Sequence, residues 1–187
     1  MGGGRGSVLL LGLGVLLGLI GCGGSGDETQ AASEERLYPS VEGPAREFLV
    51  RNGDNAVPMF GREATKAERD QASRVIEPWM RARAATDWKK DCSYFSRRYV
   101  KALVAEDATK ITDGRVKTCP QALAYFGEAA SGDYKNTMSG PIDSLRIGEG
   151  HGYALFHGSD GHDWALPMDR ENGRWLVALA APIEREK

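Results

Sequence analysis

Asp163-Trp-Ala-Leu-Pro-Met-Asp169, Arg170-Glu171, Asn172-Gly173, then Arg174-Trp-Leu-Val-Ala-Leu179 is the stretch that decides the fold. Trp164, Leu166 and Met168 alternate with polar or smaller neighbours, and Trp175, Val177 and Leu179 do the same. Each run therefore has the two-residue period of a strand with one buried face. The Asn-Gly between them is a strong hairpin signal, because both central positions of a type I′ turn need positive φ. Working outward, Ile142–Ile147 and Tyr153–His157 are two further short runs rich in aromatic and β-branched residues, and Gly148-Glu149-Gly150 and Gly158–Gly161 divide them. The runs Ile142–Ile147, Tyr153–His157, Asp163–Asp169 and Arg174–Pro182 predict a four-stranded antiparallel meander. Pro167 removes a ladder donor, which predicts an edge or a bulge for its strand.

Upstream the period lengthens to that of a helix. Thr65-Lys66-Ala67-Glu68 has the pattern of a capping box, in which the two side chains satisfy each other's orphan amides. Ala72, Val75, Ile76, Trp79, Met80 and Arg83 follow at 3.6-residue spacing, and Pro78 inside the run predicts a kink. Asp87 is placed to cap a second helix with Trp88, Cys92 and Phe95 inward, and Ser96 to recap a continuation with Tyr99, Val100, Leu103 and Val104 inward. Glu106 to Lys117 reads as a polar loop with a turn at Asp113-Gly114. Thr118 and Pro120 open a third helix with Ala122, Leu123, Phe126 and Ala130 on its face. Three helices followed by four strands predict an α+β domain over residues 64–187, the helices packed on one sheet face.

The N-terminus carries a different signal. Arg5 is the only charge before Val8–Ile20, a run of 13 residues containing only Val, Leu, Ile and Gly. At helical rise that run reaches roughly 20 Å, short of a hydrocarbon core of about 30 Å. A short apolar run behind a positive start is a secretory signal. It ends Leu19-Ile20-Gly21-Cys22, which resembles the bacterial lipobox. That resemblance implies cleavage before Cys22, diacylglycerol on its sulfur, and a protein anchored outside the cytoplasm on the outer face of the cell membrane. Residues 22–35 contain no aliphatic or aromatic residue beyond alanine and read as a flexible tether. Residues 36–63 read as a partly ordered lead-in, with a short helical turn near Ala45–Arg51, and with Val57–Phe60 laid against the domain.

Removing residues 1–21 from 187 leaves 166, with 23 basic against 26 acidic residues, a net charge of -3. Such a balance makes no electrostatic case for nucleic acid. With Cys22 lipidated, Cys92 and Cys119 remain as an even pair in an oxidising compartment, where a disulfide persists. Two thiols this far apart lack the tight spacing of a structural zinc site, and nothing matches a redox Cys-x-x-Cys.

The helix with Trp79 and Met80, the Ala84-Ala85-Thr86-Asp87-Trp88 segment, Cys92, Cys119-Pro120 and the final strand Gly173-Arg174-Trp175-Leu176-Val177 together resemble the NTF2-like (cystatin-like, SnoaL-type) superfamily, in particular its actinobacterial lipoproteins. The resemblance covers about residues 64–182. It implies a strongly curved four-stranded sheet cupping the three helices into a cone around an apolar pocket. The superfamily includes isomerases, cyclases and dehydratases as well as non-catalytic members, so fold alone does not assign an activity.

No motif for catalysis, metal or cofactor binding stands out. His151, His157 and His162 with Asp160 and Asp163 form the one cluster of candidate metal ligands, and solvated hairpin turns explain it more simply. His162 or Asp163 beside Trp164 is a candidate acid–base group, though strand neighbours face opposite ways. Asp87 and Asp91 read as helix-start residues complementing the dipole. The aromatic set Trp79, Tyr94, Phe95, Tyr99, Tyr125, Phe126, Tyr153, Trp164 and Trp175 supplies candidate pocket walls, with the tyrosine hydroxyls at 99, 125 and 153 as polar handles. These features predict a non-catalytic domain that binds a small apolar ligand or a protein partner. The alternative is a lyase or isomerase acting on a hydrophobic metabolite, and a further candidate assembly is a homodimer through the sheet.

Overall fold

A computed structural model describes residues 41–130 and 141–185, all within one compact unit, Pro39–Lys187. The signal sequence, Cys22, the tether and residues 36–40 lie outside the described residues. The architecture is α+β, with helices on one face of an antiparallel sheet. The helices are α1 (Lys66–Ala84), α2 (Trp88–Cys92), α3 (Arg97–Ala102) and α4 (Cys119–Ala130). The strands are β1 (Arg62–Glu63), β2 (Ser144–Gly148), β3 (His151–His157), β4 (Asp163–Glu171), β5 (Arg174–Val177) and β6 (Ile183–Arg185).

The capping box at the start of α1 is present in full: Glu68 N–H donates to Thr65 Oγ1 at 3.3 Å, and Thr65 N–H donates to Glu68 Oε2 at 2.8 Å. Helix α1 runs unbroken through Pro78 to Ala84, burying Ala72, Val75, Ile76, Trp79 and Ala82. The second expected helix is instead two short ones. Asp87 caps α2 and Ser96 caps α3, but Phe95 lies between them and pairs with Val177 in an isolated parallel bridge. The strand's open edge takes the backbone of residues 94–96 away from the helix: Val177 N–H donates to Tyr94 O, and Ser96 N–H to Val177 O, both at 2.9 Å. Nor is Glu106–Lys117 a loop throughout. Helix α3 continues through a π-helical stretch, Leu103–Ala108, into a last turn, Thr109–Ile111. Fully buried Ala108 and nearly buried Thr112 hold it to the core, and the chain turns where expected, at Asp113 (φ 50) and Gly114 (φ 75).

The four expected strands occur in meander order, β2-β3-β4-β5, but the sheet has six strands among the described residues. Asn172 (φ 51) and Gly173 (φ 77) make the tight β4–β5 turn. The run expected as Arg174–Pro182 stops at Val177 and resumes as β6, which pairs with the other half of the same β4 edge. Strand β4 is therefore central, not an edge. Its proline is tolerated because the carbonyl of Pro167 accepts from Ala178 N–H at 2.9 Å, which places the missing donor on the same side, at the junction between β5 and β6.

Leu145 and Ile147 of β2, Ala154 and Phe156 of β3, Leu166 and Met168 of β4, and Trp175 and Val177 of β5 face the helices and form one core with them. The opposite face is also covered. A 3-10 turn, Gly43–Phe48, and the turns after it lie on it, with Val41, Ala45 and Phe48 at 2%, 0% and 1% exposure. The lead-in is thus part of the fold from residue 41 onward. Its backbone is held by buried Arg146, whose Nε donates to Phe60 O and whose Nη2 donates to Gly61 O, both at 2.8 Å. No helix among the described residues is long and apolar enough to cross a membrane.

Candidate functional site

The period-2 parity of the sheet sorts the aromatic candidates. Trp79, Phe95 and Trp175 are in the core between helices and sheet; the Trp79 and Phe95 rings meet edge-on at 6.1 Å, and Tyr99 stacks obliquely on Phe95 at 4.9 Å. Tyr94, Phe126 and Trp164 are half-buried against this core, while Tyr125 is half exposed and meets the Phe126 ring edge-on. Tyr153 does not belong with them. It shares the outer face with Leu155 and packs edge-on against Phe60 at 5.1 Å, so it cannot line an interior that Trp79 lines.

The core holds one charged pair that sequence reasoning missed. Asp91 is not a solvated helix-start residue but is fully buried. Arg83 Nε donates to Asp91 Oδ2 at 3.0 Å, and Nη2 lies 2.9 Å from the same oxygen without hydrogen-bond alignment. Arg83 Nη1 donates to Ala180 O, tying α1 to the chain after β5. The guanidinium lies over the Trp79 ring at 5.1 Å and the Phe95 ring at 5.8 Å, in cation–π range. Burial pushes the Asp91 carboxyl above its ordinary value, and the Arg83 charge, the Arg83 hydrogen bond and the Trp79 indole only partly oppose it. The sequence signal was Arg83 itself, the one charge on an otherwise apolar helical stripe.

The histidines do not converge. His151 and His157 do point to the same face, but at opposite ends of β3, six residues or about 20 Å apart at strand rise. No group of three or more ligating side chains among the described residues could hold a metal ion. Each histidine instead turns Nδ1 to its own carboxylate: His151 to Asp169 at 2.8 Å, His157 to Asp163 at 2.7 Å, and His162 to Glu184. Asp169 also accepts from Arg98 Nε at 3.1 Å and Nη2 at 2.9 Å. Burial opposes its charge, but the bonds from Arg98, Ser96 and His151 outweigh that and hold its carboxyl below its ordinary value. His157 shows the converse: burial works against the protonated ring, and Asp163, Asp143 and Glu47 together outweigh it and raise its value.

The chain matches no family model, no curated protein and no solved structure.

Chemically, the enclosed Arg83–Asp91 pair is positioned to hold elements together, because a carboxylate with no exposed surface touches no substrate. The His151–Asp169 and His157–Asp163 pairs on the outer face have the Nδ1 arrangement that orients a general base. At His157, Nε2 meets the covering segment.

Proposed function

We propose that the protein is a lipoprotein anchored through diacylglycerol on Cys22 to the outer face of the cell membrane, carrying an NTF2-like domain that acts by binding. The observation that carries this reading is the bond between Cys92 and Cys119, whose sulfurs are 2.04 Å apart and join α2 to the first residue of α4. Such bonds persist in oxidising compartments, which agrees with a chain whose start resembles an export signal and lipobox. The half-buried aromatic fringe of Tyr94, Tyr99, Phe126 and Trp164 on the apolar core supports an apolar ligand, with a protein partner as the other candidate. One observation favours the enzyme alternative, a lyase or isomerase on a hydrophobic metabolite: a buried carboxyl, Asp91, raised above its ordinary value. Its engagement with Arg83 and its complete enclosure weigh against that role. A sheet-to-sheet dimer finds less support, because the segment following Val41 occupies the outer face over β2 to β4.

The test is expression of the full chain in a bacterial host fed an alkyne-tagged fatty acid. The expected outcome is a tagged, membrane-associated protein with no free Cys92 or Cys119 thiol, and loss of the tag in Cys22→Ser. An untagged wild-type chain with alkylatable cysteines overturns the anchored reading. Native mass spectrometry of the same material then separates ligand binding, seen as an added mass, from partner binding.

A further inference from the structure

The covering segment is held at one end by groups that do not all keep their charge. Phe48, 1% exposed, stacks on the His157 ring at 4.5 Å with an 11° interplanar angle. Glu47, next to it on the same 3-10 turn, places Oε2 3.6 Å from His157 Nε2. The other ring nitrogen, Nδ1, is engaged by Asp163 Oδ1 at 2.7 Å. Other charged groups on this side are Asp143, which accepts from His157 N–H at 3.1 Å, Arg185 of β6, and Asp54, whose charge acts on Arg185. Arg185 Nη2 donates to Asp54 O at 2.9 Å and Phe48 O at 3.4 Å, and its charge lies close enough to Asp163 to interact.

We propose that His157 is the pH-sensitive catch of a clasp that holds the segment from Val41 to Phe60 on the outer face of the sheet. The chemistry follows from the two ring nitrogens. Protonated, the ring donates both N–H groups, one to Asp163 on the sheet and one toward Glu47 on the segment, and presents a cation to the Phe48 face. Neutral, it keeps a single N–H. Asp163 is the nearer acceptor and retains it, so Nε2 faces Glu47 bare, and the link between sheet and segment is the one that breaks. Arg185 keeps its charge throughout and supplies the part of the hold that does not change with pH. Because the ring's folded value is raised, its contribution is fully present below its unfolded value near 6.5 and is lost as pH rises through the folded value.

Amide hydrogen exchange on the full-length chain tests this, read at Leu49, Val50 and Gly53, whose N–H groups bond within the segment. Rates are corrected for the intrinsic pH dependence of exchange. Since exposed ion pairs contribute modestly, protection of these amides is expected to fall about two- to five-fold between pH 5 and pH 8. His157→Gln flattens that dependence, as does Glu47→Gln, which alters a side chain 70% exposed and leaves folding intact. His151→Gln, at the far end of β3, keeps the wild-type slope. Equal corrected protection at both pH values in the wild type, or an unchanged slope in both His157→Gln and Glu47→Gln, overturns the proposal.

Discussion

Replacing Arg83 by Met tests the central claim about the core, that Asp91 is enclosed with a single counter-charge. Methionine keeps most of the apolar stem over Trp79 and Phe95 but withdraws the charge and three contacts: those to Asp91 Oδ2 from Nε and Nη2, and that to Ala180 O. Arg83's side chain is 17% exposed and Asp91's 0%, so the pair is largely shielded from solvent and its loss is not masked by screening. Removing one member of such a pair costs about 3–5 kcal/mol, because the other charge stays buried and unpaired. Against a total stability of about 5–15 kcal/mol, that is a large fraction. Urea unfolding followed by circular dichroism, with the disulfide intact, measures it. The pH dependence has a fixed sign. Asp91's folded value already lies above the ordinary 3.8, and without Arg83 it rises further. A raised carboxyl contributes stability that is present below its unfolded value and lost as pH rises through its folded value. The deficit of Arg83→Met should therefore be largest at neutral pH and shrink toward pH 4. Arg83→Met with Asp91→Leu should recover most of the loss, since an apolar pair of similar volume replaces a buried ion pair at little cost. A single-variant loss below about 1 kcal/mol at pH 7, or a deficit that does not shrink in acid, refutes the enclosed pair.

Two further outcomes follow from the scaffold. Reducing Cys92–Cys119, or replacing both by serine, frees a loop with a sequence separation of 27 and should lower stability by about 3–4 kcal/mol in urea titrations with and without reductant, whereas matching midpoints would contradict a structural role. Thr65→Ala removes half of the capping box and should cost about 1 kcal/mol, with exchange at the α1 N-terminus rising first. Hydrogen bonds from Arg62 and Thr65 hold Glu68 down to about 2, so the wild-type box keeps its contribution above Glu68's ordinary 4.5 and loses it as pH falls toward 2. Thermal melts of wild type and Glu68→Gln between pH 6 and pH 2 should therefore converge in acid.

What was legible in the residues was whatever local period and turn chemistry determine. The hairpin at Asn172-Gly173, the box at Thr65–Glu68, the caps at Asp87 and Ser96 and the α+β class all depend on neighbours within a few residues, and all are present. Arg62–Glu63 and Ile183–Arg185 were not legible as strands, because two or three residues are too few to show alternation and their pairing comes from partners far along the chain. The same limit hid the second covered face. Arg146 and Arg185 look like surface charges, yet they are 2% and 9% exposed because carbonyls of residues 48–61 accept their protons. The outer face of the meander therefore carries charged residues like a wet face, yet the segment after Val41 covers part of it, and backbone carbonyls take the protons of Arg146 and Arg185 there. Parity explains the candidate site as well. Tyr153 and Ala154 are equally plausible inward residues until register is known, and a one-residue choice sends the tyrosine to Phe60 rather than to Trp79. The histidines lie close together in the sequence, but each meets its carboxylate across a strand pair or hairpin, at separations of 6, 18 and 22 residues. In a sheet, then, a cluster in the sequence is weak evidence for a cluster in space. The pairs that matter here, Arg83 with Asp91 and His157 with Glu47, join different elements and owe their proximity to packing.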